Sequence, residues 1–353
     1  MNSSLFKNNR TMEKLIYPFE KRPPNGEFFE VAPGINWLRM PLPIALNHIN
    51  LWLLESDEDW TIVDTGMVSD ENKAIWNNIL DHKLGDKPVT KLVVTHMHLD
   101  HVGLAGWLAD KLNIDPQMTK KEFVASSILA NKIEKNLGSI AIEFYKSSGF
   151  DDKLVETYIQ RVGIRKNLVS PLSGRYHLLT NEQELHLGNH VWTVIVAKGH
   201  SSEHACLFCE ELNIFICGDI LLPRISPNVS VLPHQPDGNP LADWFESLEK
   251  IKTLLPEDVL VLPSHGYPYR GAHERIKDLI DEHRSRLDKL HTYCKNPQRA
   301  VDVFPVLFDR KIDSKSIILA IGESLSHLNY LIGQGLITMT VDKNGVKYFS
   351  QSD

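Results

Sequence analysis

One short segment of the sequence concentrates side chains that can do metal chemistry. Residues 91–103 read KLVVTHMHLDHVG, in which His96, His98, Asp100 and His101 directly follow apolar and β-branched residues. Imidazole and carboxylate groups are costly in an apolar core. Together they are the ligands that Zn²⁺ prefers, and Mn²⁺ or Fe²⁺ also accept them. The segment therefore predicts a metal-binding group where a strand ends and a helix begins.

Three more candidate ligands follow apolar strand-like segments further along the chain. They are His200 in AKGHSSEH, Asp219 in ICGDIL and His265 in LPSHGYP. Each lies near a glycine, which lets the backbone bend close to a ligand. This recurrence indicates that the three side chains join the first group in one site.

The elements that must position these residues form a mixed pattern. Short apolar strands alternate with turns from about residue 30, a helix is expected at roughly 70–84, and 117–170 is amphipathic and helical. Strands then return near 190–218 and before His265, with a helix between them. This order predicts an α/β (α+β) fold in which two sheets pack face to face with helices outside.

The pattern also predicts the domain organisation. Residues 1–29 form an N-terminal extension and 30–270 the catalytic domain, with the helical insert at about 117–170. Residues 271–353 form a linker helix followed by a small winged-helix-like domain. In that domain we predict two helices from residue 313 onward, followed by a hairpin that turns at DKNG.

Composition limits the classes of function. The 353-residue chain is 42% hydrophobic and has a formal net charge of −7, so it has no general attraction for nucleic acid or anionic membranes. Its four cysteines are too few for a disulfide scaffold, and the CxxC of Cys206 and Cys209 is interpreted as buried thiols. Without a transmembrane run or a signal peptide, the sequence predicts a cytoplasmic protein with no membrane partner.

The motif H-x-H-x-D-H at residues 96–101 resembles the signature of the metallo-β-lactamase superfamily, and the resemblance covers about residues 30–270. It implies a four-layer αββα sandwich with two divalent metal ions at one edge. By this resemblance His96, His98 and His200 hold one metal ion. Asp100, His101 and His265 hold the other, and Asp219 bridges the two.

The resemblance also implies supporting residues and a chemistry. Asp64 in TIVDTG matches a position that supports a metal-binding histidine through a hydrogen bond. His204 either does the same or is an ordinary surface histidine. Two divalent ions, zinc above all, would generate a bridging hydroxide that attacks an electrophilic centre, and Asp100 is the catalytic residue expected to orient it.

The expected substrate is a small ester, thioester or lactone. Six residues near the inferred mouth of the site are candidates for binding it: Phe144, Tyr145, Arg224, Asn228, Tyr267 and Arg270. Phe144 and Tyr145 belong to the helical insert, where they either line an acyl pocket or simply form its core.

Two other functions remain open. The C-terminal tail looks like that of a lactamase-fold endoribonuclease subgroup, which would make RNA the substrate. Residues 295–353 nevertheless contain seven Lys or Arg and six Asp or Glu, so a role in covering the core or in a homodimer contact is favoured over nucleic-acid binding. A metal-containing regulator or binding module without catalysis is the third hypothesis.

Overall fold

The computed structural model describes most of the chain: residues 15–43, 46–130, 137–164, 168–314 and 316–352. The first half of the predicted N-terminal extension, residues 1–14, lies outside these ranges. The remainder of the extension reaches the body of the protein through Ile16, whose backbone pairs with that of Arg270.

The first sheet contains seven strands in chain order. They are β1 (Phe28–Ala32), β2 (Ile35–Pro41), β3 (His48–Glu55), β4 (Trp60–Val63), β5 (Val89–Val93), β6 (Gln117–Met118) and β7 (His177–Leu178). Strands β1 to β4 are antiparallel, and β4 to β7 are parallel. Helix α1 (Asp70–His82) connects β4 to β5, and the side chain of Ser69 caps it by accepting the Asn72 N–H.

The second sheet has five strands in the order β12-β11-β10-β9-β8. They are β8 (Glu184–Leu187), β9 (His190–Ala197), β10 (His204–Cys209), β11 (Ile214–Gly218) and β12 (Leu260–Pro263). Only β11 and β12 run parallel, and helix α7 (Pro240–Leu254) forms the crossover between them.

Four layers result from the packing of these elements. Trp37, Trp52 and Trp192 are buried between the two sheets. Helices α1 and α3 (Ala105–Leu112) cover the outer face of the first sheet, and α7 and α8 (Ala272–Tyr293) cover that of the second. The αββα sandwich predicted from the sequence is therefore confirmed. Between β5 and α3 the chain forms a short helix, α2 (Leu99–Val102).

The described residues of the insert form three helices: α4 (Lys120–Ala130), α5 (Leu137–Ser147) and α6 (Asp152–Ile164). Its predicted first residues belong to β6, so the helical part begins slightly later than the amphipathic pattern indicated. Phe144, Tyr145 and Phe150 are buried together in this insert.

The C-terminal region contains α9 (Phe304–Leu307), α10 (Ile317–Gly333) and the hairpin of β13 (Ile337–Val341) and β14 (Lys347–Gln351). The hairpin is as expected. The prediction of two helices within 313–335 is wrong, because the chain continues through Gly322 as the single helix α10. This helix shares one buried hydrophobic cluster with α7 and α8, so the region packs directly on the second sheet's helical layer.

All four cysteines are buried free thiols, which agrees with their interpretation as small core residues. Within the described ranges, every helix is either too short or too polar to cross a membrane.

Candidate metal centre

The seven predicted ligands come together from four separate chain segments. Their ligand atoms form two groups, and within each group the atoms lie within 4.8 Å of one another. The first group is His96, His98, His200 and Asp219; the second is Asp100, His101 and His265. Each segment follows a strand end or, for Asp100 and His101, lies on α2.

In the first group, three ring nitrogens form a small triangle. His98 Nδ1 lies 2.9 Å from His96 Nε2 and 2.9 Å from His200 Nε2, and the two Nε2 atoms are 3.2 Å apart. Three nitrogen donors this close can share one cation, since Zn–N bonds are about 2.0–2.1 Å long.

Asp219 lies between the two groups. Its Oδ2 is 3.5 Å from His200 Nε2, whereas its Oδ1 is 3.5 Å from His101 Nε2 and 3.6 Å from His265 Nε2. Asp100 Oδ2 completes the second group at 3.3 Å from His265 Nε2. The two oxygens of one carboxylate thus face different groups of ligands.

Asp64 contacts the His101 ring at Nδ1, on the side opposite the nitrogen that faces the other ligands. Asp64 Oδ2 lies 2.7 Å from His101 Nδ1, and Asp64 Oδ1 accepts the Thr95 N–H at 2.8 Å. The aspartate adopts a left-handed backbone conformation (φ +63°), which is uncommon outside glycine. A proton held on Nδ1 leaves the Nε2 lone pair directed at Asp219 and Asp100.

Two other ligands are oriented by backbone carbonyls. His200 Nδ1 donates to the Asn228 carbonyl at 2.8 Å, and His265 Nδ1 donates to the His48 carbonyl at 2.9 Å. Because a carbonyl oxygen can only accept, each Nδ1 carries a proton, and Nε2 is the ring nitrogen left to bind a metal ion.

His204 is fully buried and lies beneath the ligands. Its Nε2 accepts the Asp219 N–H at 3.2 Å, and its ring stacks on His96 with centroids 4.5 Å apart. The close approach requires glycine at 218, because a Cβ there would lie 2.3 Å from His204 Cε1 and the residue has φ +51°. His204 thereby supports both Asp219 and His96.

Sequence reasoning missed Glu122, a buried residue of the insert. Its carboxylate accepts the Met97 N–H at 2.9 Å and the Glu203 N–H at 2.7 Å. It therefore ties the His96–His98 loop to the segment after His200. A lone glutamate in a helix gives no signal of this contact, because its partners are 25 and 81 residues away.

The electrostatics differ between the two groups. Burial lowers the pKa of His200 to about 3 and that of His96 well below its ordinary value. Burial also opposes the charged form of His265, but Asp219 and Asp100 outweigh it and raise that pKa to about 10. For Asp100, His101 and His265 outweigh burial and lower the pKa to about 2. The carboxylates thus stay ionised beside the second group.

The residues fit a cation at each group. His101 Nε2 and Asp219 Oδ1 are buried and lack a hydrogen-bond partner, although each points toward other ligand atoms. Buried polar atoms normally have hydrogen-bond partners. Two buried atoms that lack them and face each other among histidines and carboxylates therefore indicate metal-ligand positions. The mixture of imidazole nitrogens and carboxylate oxygens suits Zn²⁺, Mn²⁺ or Fe²⁺.

A cavity of about 170 Å³ opens beside the first group. His98, His200 and Asn228 form its polar side, and Phe144 and Tyr145 of the insert form part of its apolar side. Three of the six predicted substrate-binding residues are therefore brought to the ligands.

The other three lie elsewhere. The guanidinium group of Arg224 is exposed and lies over the Tyr17 ring at 5.7 Å from its centroid. Tyr267 packs edge-on against Trp37, with ring centroids 5.6 Å apart. Arg270 donates to the Asp258 carbonyl. These three are absent from the lining of the cavity beside the ligands.

Two family models match the chain. Residues 45–265 match the metallo-beta-lactamase superfamily, and residues 287–352 match the metallo-beta-lactamase-like C-terminal domain. The first match alone covers more than half of the chain and includes all seven ligand positions.

Individual proteins agree with these matches. A beta-lactamase domain protein from Burkholderia ambifaria is 36% identical, with a TM-score of 0.89 over 98% of this chain and 100% of that one. A metallo-beta-lactamase family protein from Thermus thermophilus has the same fold, with a TM-score of 0.77 over 92% of this chain and 100% of that one at 24% identity. "Probable metallo-hydrolase YqjP" of Bacillus subtilis is 25% identical over 88% of this chain and 96% of its own length. The chain is a metal-dependent hydrolase that belongs to the metallo-β-lactamase superfamily.

Proposed function

We propose that the chain is a dinuclear metallohydrolase that cleaves a small ester, thioester or lactone. The observation that carries this proposal is the position of Asp219, whose Oδ2 faces the His96–His98–His200 group and whose Oδ1 faces the other group. A carboxylate whose two oxygens face different groups of ligands is suited to bridging two cations. Zinc is the proposed metal because both groups combine imidazole and carboxylate donors.

When bound, divalent cations at this site supply Lewis acidity, which polarises a carbonyl group and lowers the pKa of water toward neutrality. The chain's own contribution is orientation. Asp100 stays ionised near neutral pH, and its side chain is 17% exposed, compared with 10% for Asp219. We propose that Asp100 accepts a proton from the attacking water at its carboxylate and orients that water toward the substrate.

The cavity supports a small substrate. It is bounded by apolar groups of Phe144, Tyr145 and Leu319, and by the polar Asn228. An acyl group would contact the aromatic side chains while its carbonyl group lies beside His98 and His200. Charge in residues 295–353 is nearly balanced, so this region offers less support for RNA binding than the cavity offers for an acyl substrate.

The test is a hydrolysis panel with the zinc-reconstituted protein. It contains an acyl thioester series, a lactone series and single-stranded RNA, each measured with and without a chelator. Asp219→Asn is the matched blank, because it keeps the shape of the side chain but removes the shared carboxylate charge. Chelator-sensitive cleavage of a thioester or lactone, absent in the blank, is the expected result.

Two results would contradict the proposal. Cleavage of RNA, but of none of the thioesters or lactones, would indicate that the protein is a phosphodiesterase instead. A protein that binds two equivalents of zinc but hydrolyses none of the substrates would favour a regulator or binding module. Metal content is therefore measured on the same samples by elemental analysis.

A further inference from the structure

The loop that follows Asp219, residues 220–231, is held from behind by helices outside the lactamase match. On α8, Arg275 donates to the carbonyl groups of Leu222 at 2.7 Å and Ile225 at 2.9 Å. His283 Nε2, also on α8, lies 2.8 Å from Ser226 Oγ. The first half of the Asp219 loop is thus fixed by the long helix that precedes the C-terminal domain.

Helix α10 holds the second half of the Asp219 loop. Glu323 is completely buried, and its Oε2 accepts the Asn228 side-chain N–H at 2.7 Å and the Val229 backbone N–H at 3.0 Å. The carbonyl of Gly322 accepts the Val231 N–H at 3.0 Å. The Glu323 side chain and the Gly322 carbonyl, which are adjacent on α10, therefore both bind this half of the loop.

Helix α10 and the Asp219 loop lie so close together that only a small residue fits at position 322, beside Glu323. A Cβ at Gly322 would lie 2.7 Å from Ser230 Oγ and 2.8 Å from Ser230 Cβ. Ser230 in turn donates to Asn228 Oδ1 at 2.6 Å. Both polar ends of the Asn228 side chain are therefore occupied, which restricts its backbone as well.

Asn228 connects this contact to the metal centre. Its carbonyl accepts the proton of His200 Nδ1 at 2.8 Å, and His200 Nε2 belongs to the nitrogen triangle with His96 and His98. The position of that carbonyl fixes the tautomer and ring direction of His200. A displacement of the loop would rotate one of the three nitrogen ligands away from the other two.

We infer that Glu323 is a positioning residue of the metal centre, acting through Asn228 on His200, so that the C-terminal domain is a structural part of the site. The inference rests on the proposed function, because it assigns His200 to a bound metal ion. It gives α10 a role distinct from nucleic-acid binding or a dimer contact.

The chain offers a conservative replacement for the test. Burial raises the pKa of Glu323 to about 8, which keeps the carboxyl group mostly neutral at pH 7. Gln at this position keeps an oxygen that can accept the N–H groups of Asn228 and Val229, whereas Ala removes it. Leu331→Ala is the control, because Leu331 is a buried core residue on the same helix two turns beyond Glu323.

The experiment measures zinc affinity by competition with a chromophoric chelator, and the absorption bands of the cobalt(II)-substituted protein. In Glu323→Ala, we expect the affinity for one of two zinc equivalents to fall on the order of 10- to 100-fold, with altered cobalt bands. Glu323→Gln should restore both readouts. Leu331→Ala should unfold at a lower temperature yet keep wild-type affinity.

Asn228→Ala provides a second route if Glu323→Ala does not fold. It removes the side-chain donor but leaves the Val229 contact, so an affinity between those of wild type and Glu323→Ala is expected. The inference would be overturned if a folded Glu323→Ala or Asn228→Ala protein bound zinc with wild-type affinity. It would also be overturned if Leu331→Ala lowered the zinc affinity as much as Glu323→Ala does. If the wild-type protein binds fewer than two zinc ions, the proposed dinuclear function is wrong, whatever the variants show. A failure of the proposed function can therefore be distinguished from a failure of the positioning role of Glu323.

Discussion

Asp64 holds His101 in one orientation: the aspartate Oδ2 lies 2.7 Å from His101 Nδ1, and both side chains are buried. The opposite ring nitrogen, Nε2, faces Asp219 Oδ1 at 3.5 Å. A carboxylate on one side of the imidazole therefore determines which nitrogen is available on the other side.

Replacing Asp64 with Asn should weaken metal binding without changing the size of the side chain. The amide oxygen would keep the Thr95 N–H, so the amide N–H groups would face His101 Nδ1. His101 would then carry its proton on Nε2, which cannot bind a metal ion while protonated. We expect the affinity for one zinc ion to fall roughly 10- to 100-fold in a chelator competition.

The control for this variant is Asp81→Asn, an exposed position on α1. It makes the same chemical change on the surface and should leave zinc affinity unaltered. Equal zinc affinity in Asp64→Asn and wild type would show that the aspartate does not set the tautomer of His101.

Gly218→Ala should destabilise the protein more than backbone strain alone explains. The new Cβ would lie 2.3 Å from His204 Cε1, and the residue also has a positive φ of +51°. Gly85 has φ +66° but open space around its Cβ position, so Gly85→Ala isolates the strain. We expect a loss of about 1 kcal/mol for Gly85→Ala and roughly 3 kcal/mol or more for Gly218→Ala in urea unfolding.

Similar losses in the two glycine variants would mean that His204 can move aside at little cost. In that case the contact between Gly218 and His204 would not be needed to hold Asp219.

Phe144→Ala should change substrate selectivity. Phe144 lines the 170 Å³ cavity beside the ligands and also a neighbouring cavity of about 880 Å³ next to α10. Truncation would remove the part of the shared wall that Phe144 forms, so longer acyl chains should gain in kcat/KM relative to short ones across a thioester series. Zinc content should stay at the wild-type level.

Phe150→Ala is the matched comparison, because Phe150 stacks on Tyr145 at 5.0 Å between ring centroids but lines neither cavity. Both truncations remove a buried ring, at a cost of about 3–5 kcal/mol. A change in chain-length preference in Phe150→Ala as large as that in Phe144→Ala would assign the effect to loosening of the insert.

Stability should fall in mild acid because of His327, a buried histidine of α10 that is not one of the seven predicted ligands. Burial lowers its pKa to about 4, and Arg286 acts in the same direction. The folded protein therefore keeps His327 neutral, whereas the unfolded chain takes up a proton near pH 6.5. This contribution is complete above pH 6.5 and is lost as the pH falls toward 4.

The measurement compares urea unfolding of wild type and His327→Gln at pH 7 and pH 5. Wild type should lose about 2 kcal/mol more than the variant between these values. Protonation of the histidine ligands affects both proteins alike and cancels in the comparison. Parallel losses would show that His327 titrates normally in the folded state.

Local sequence patterns were sufficient to predict two packed sheets with helices outside and one shared metal site, and the resemblance to the metallo-β-lactamase superfamily supplied the four-layer αββα order and the division of the ligands into two groups. His96, His98, Asp100 and His101 are contiguous, and His200, Asp219 and His265 each follow an apolar strand. Local patterns of this kind carry the information, because strand ends converge at one edge of the packed sheets.

Contacts between distant residues could not be predicted in this way. Glu323 lies in an apolar helix and its partner Asn228 is 95 residues away, so no spacing links them. The sequence around Gly322 gave no sign of its close contact with Ser230. Gly322 also lies inside one continuous helix, although we predicted two helices in this region. Arg270 follows a ligand in the chain but turns to the Asp258 carbonyl, because proximity in sequence does not fix side-chain direction.

The contact between α10 and the Asp219 loop has a consequence for biosynthesis. A ribosome completes the loop around Asn228 well before Glu323, which comes 95 residues later. During that interval the His200 ring lacks the support that α10 provides. The nascent chain would therefore acquire a fully organised nitrogen triangle only after α10 has been synthesised and has packed against the loop.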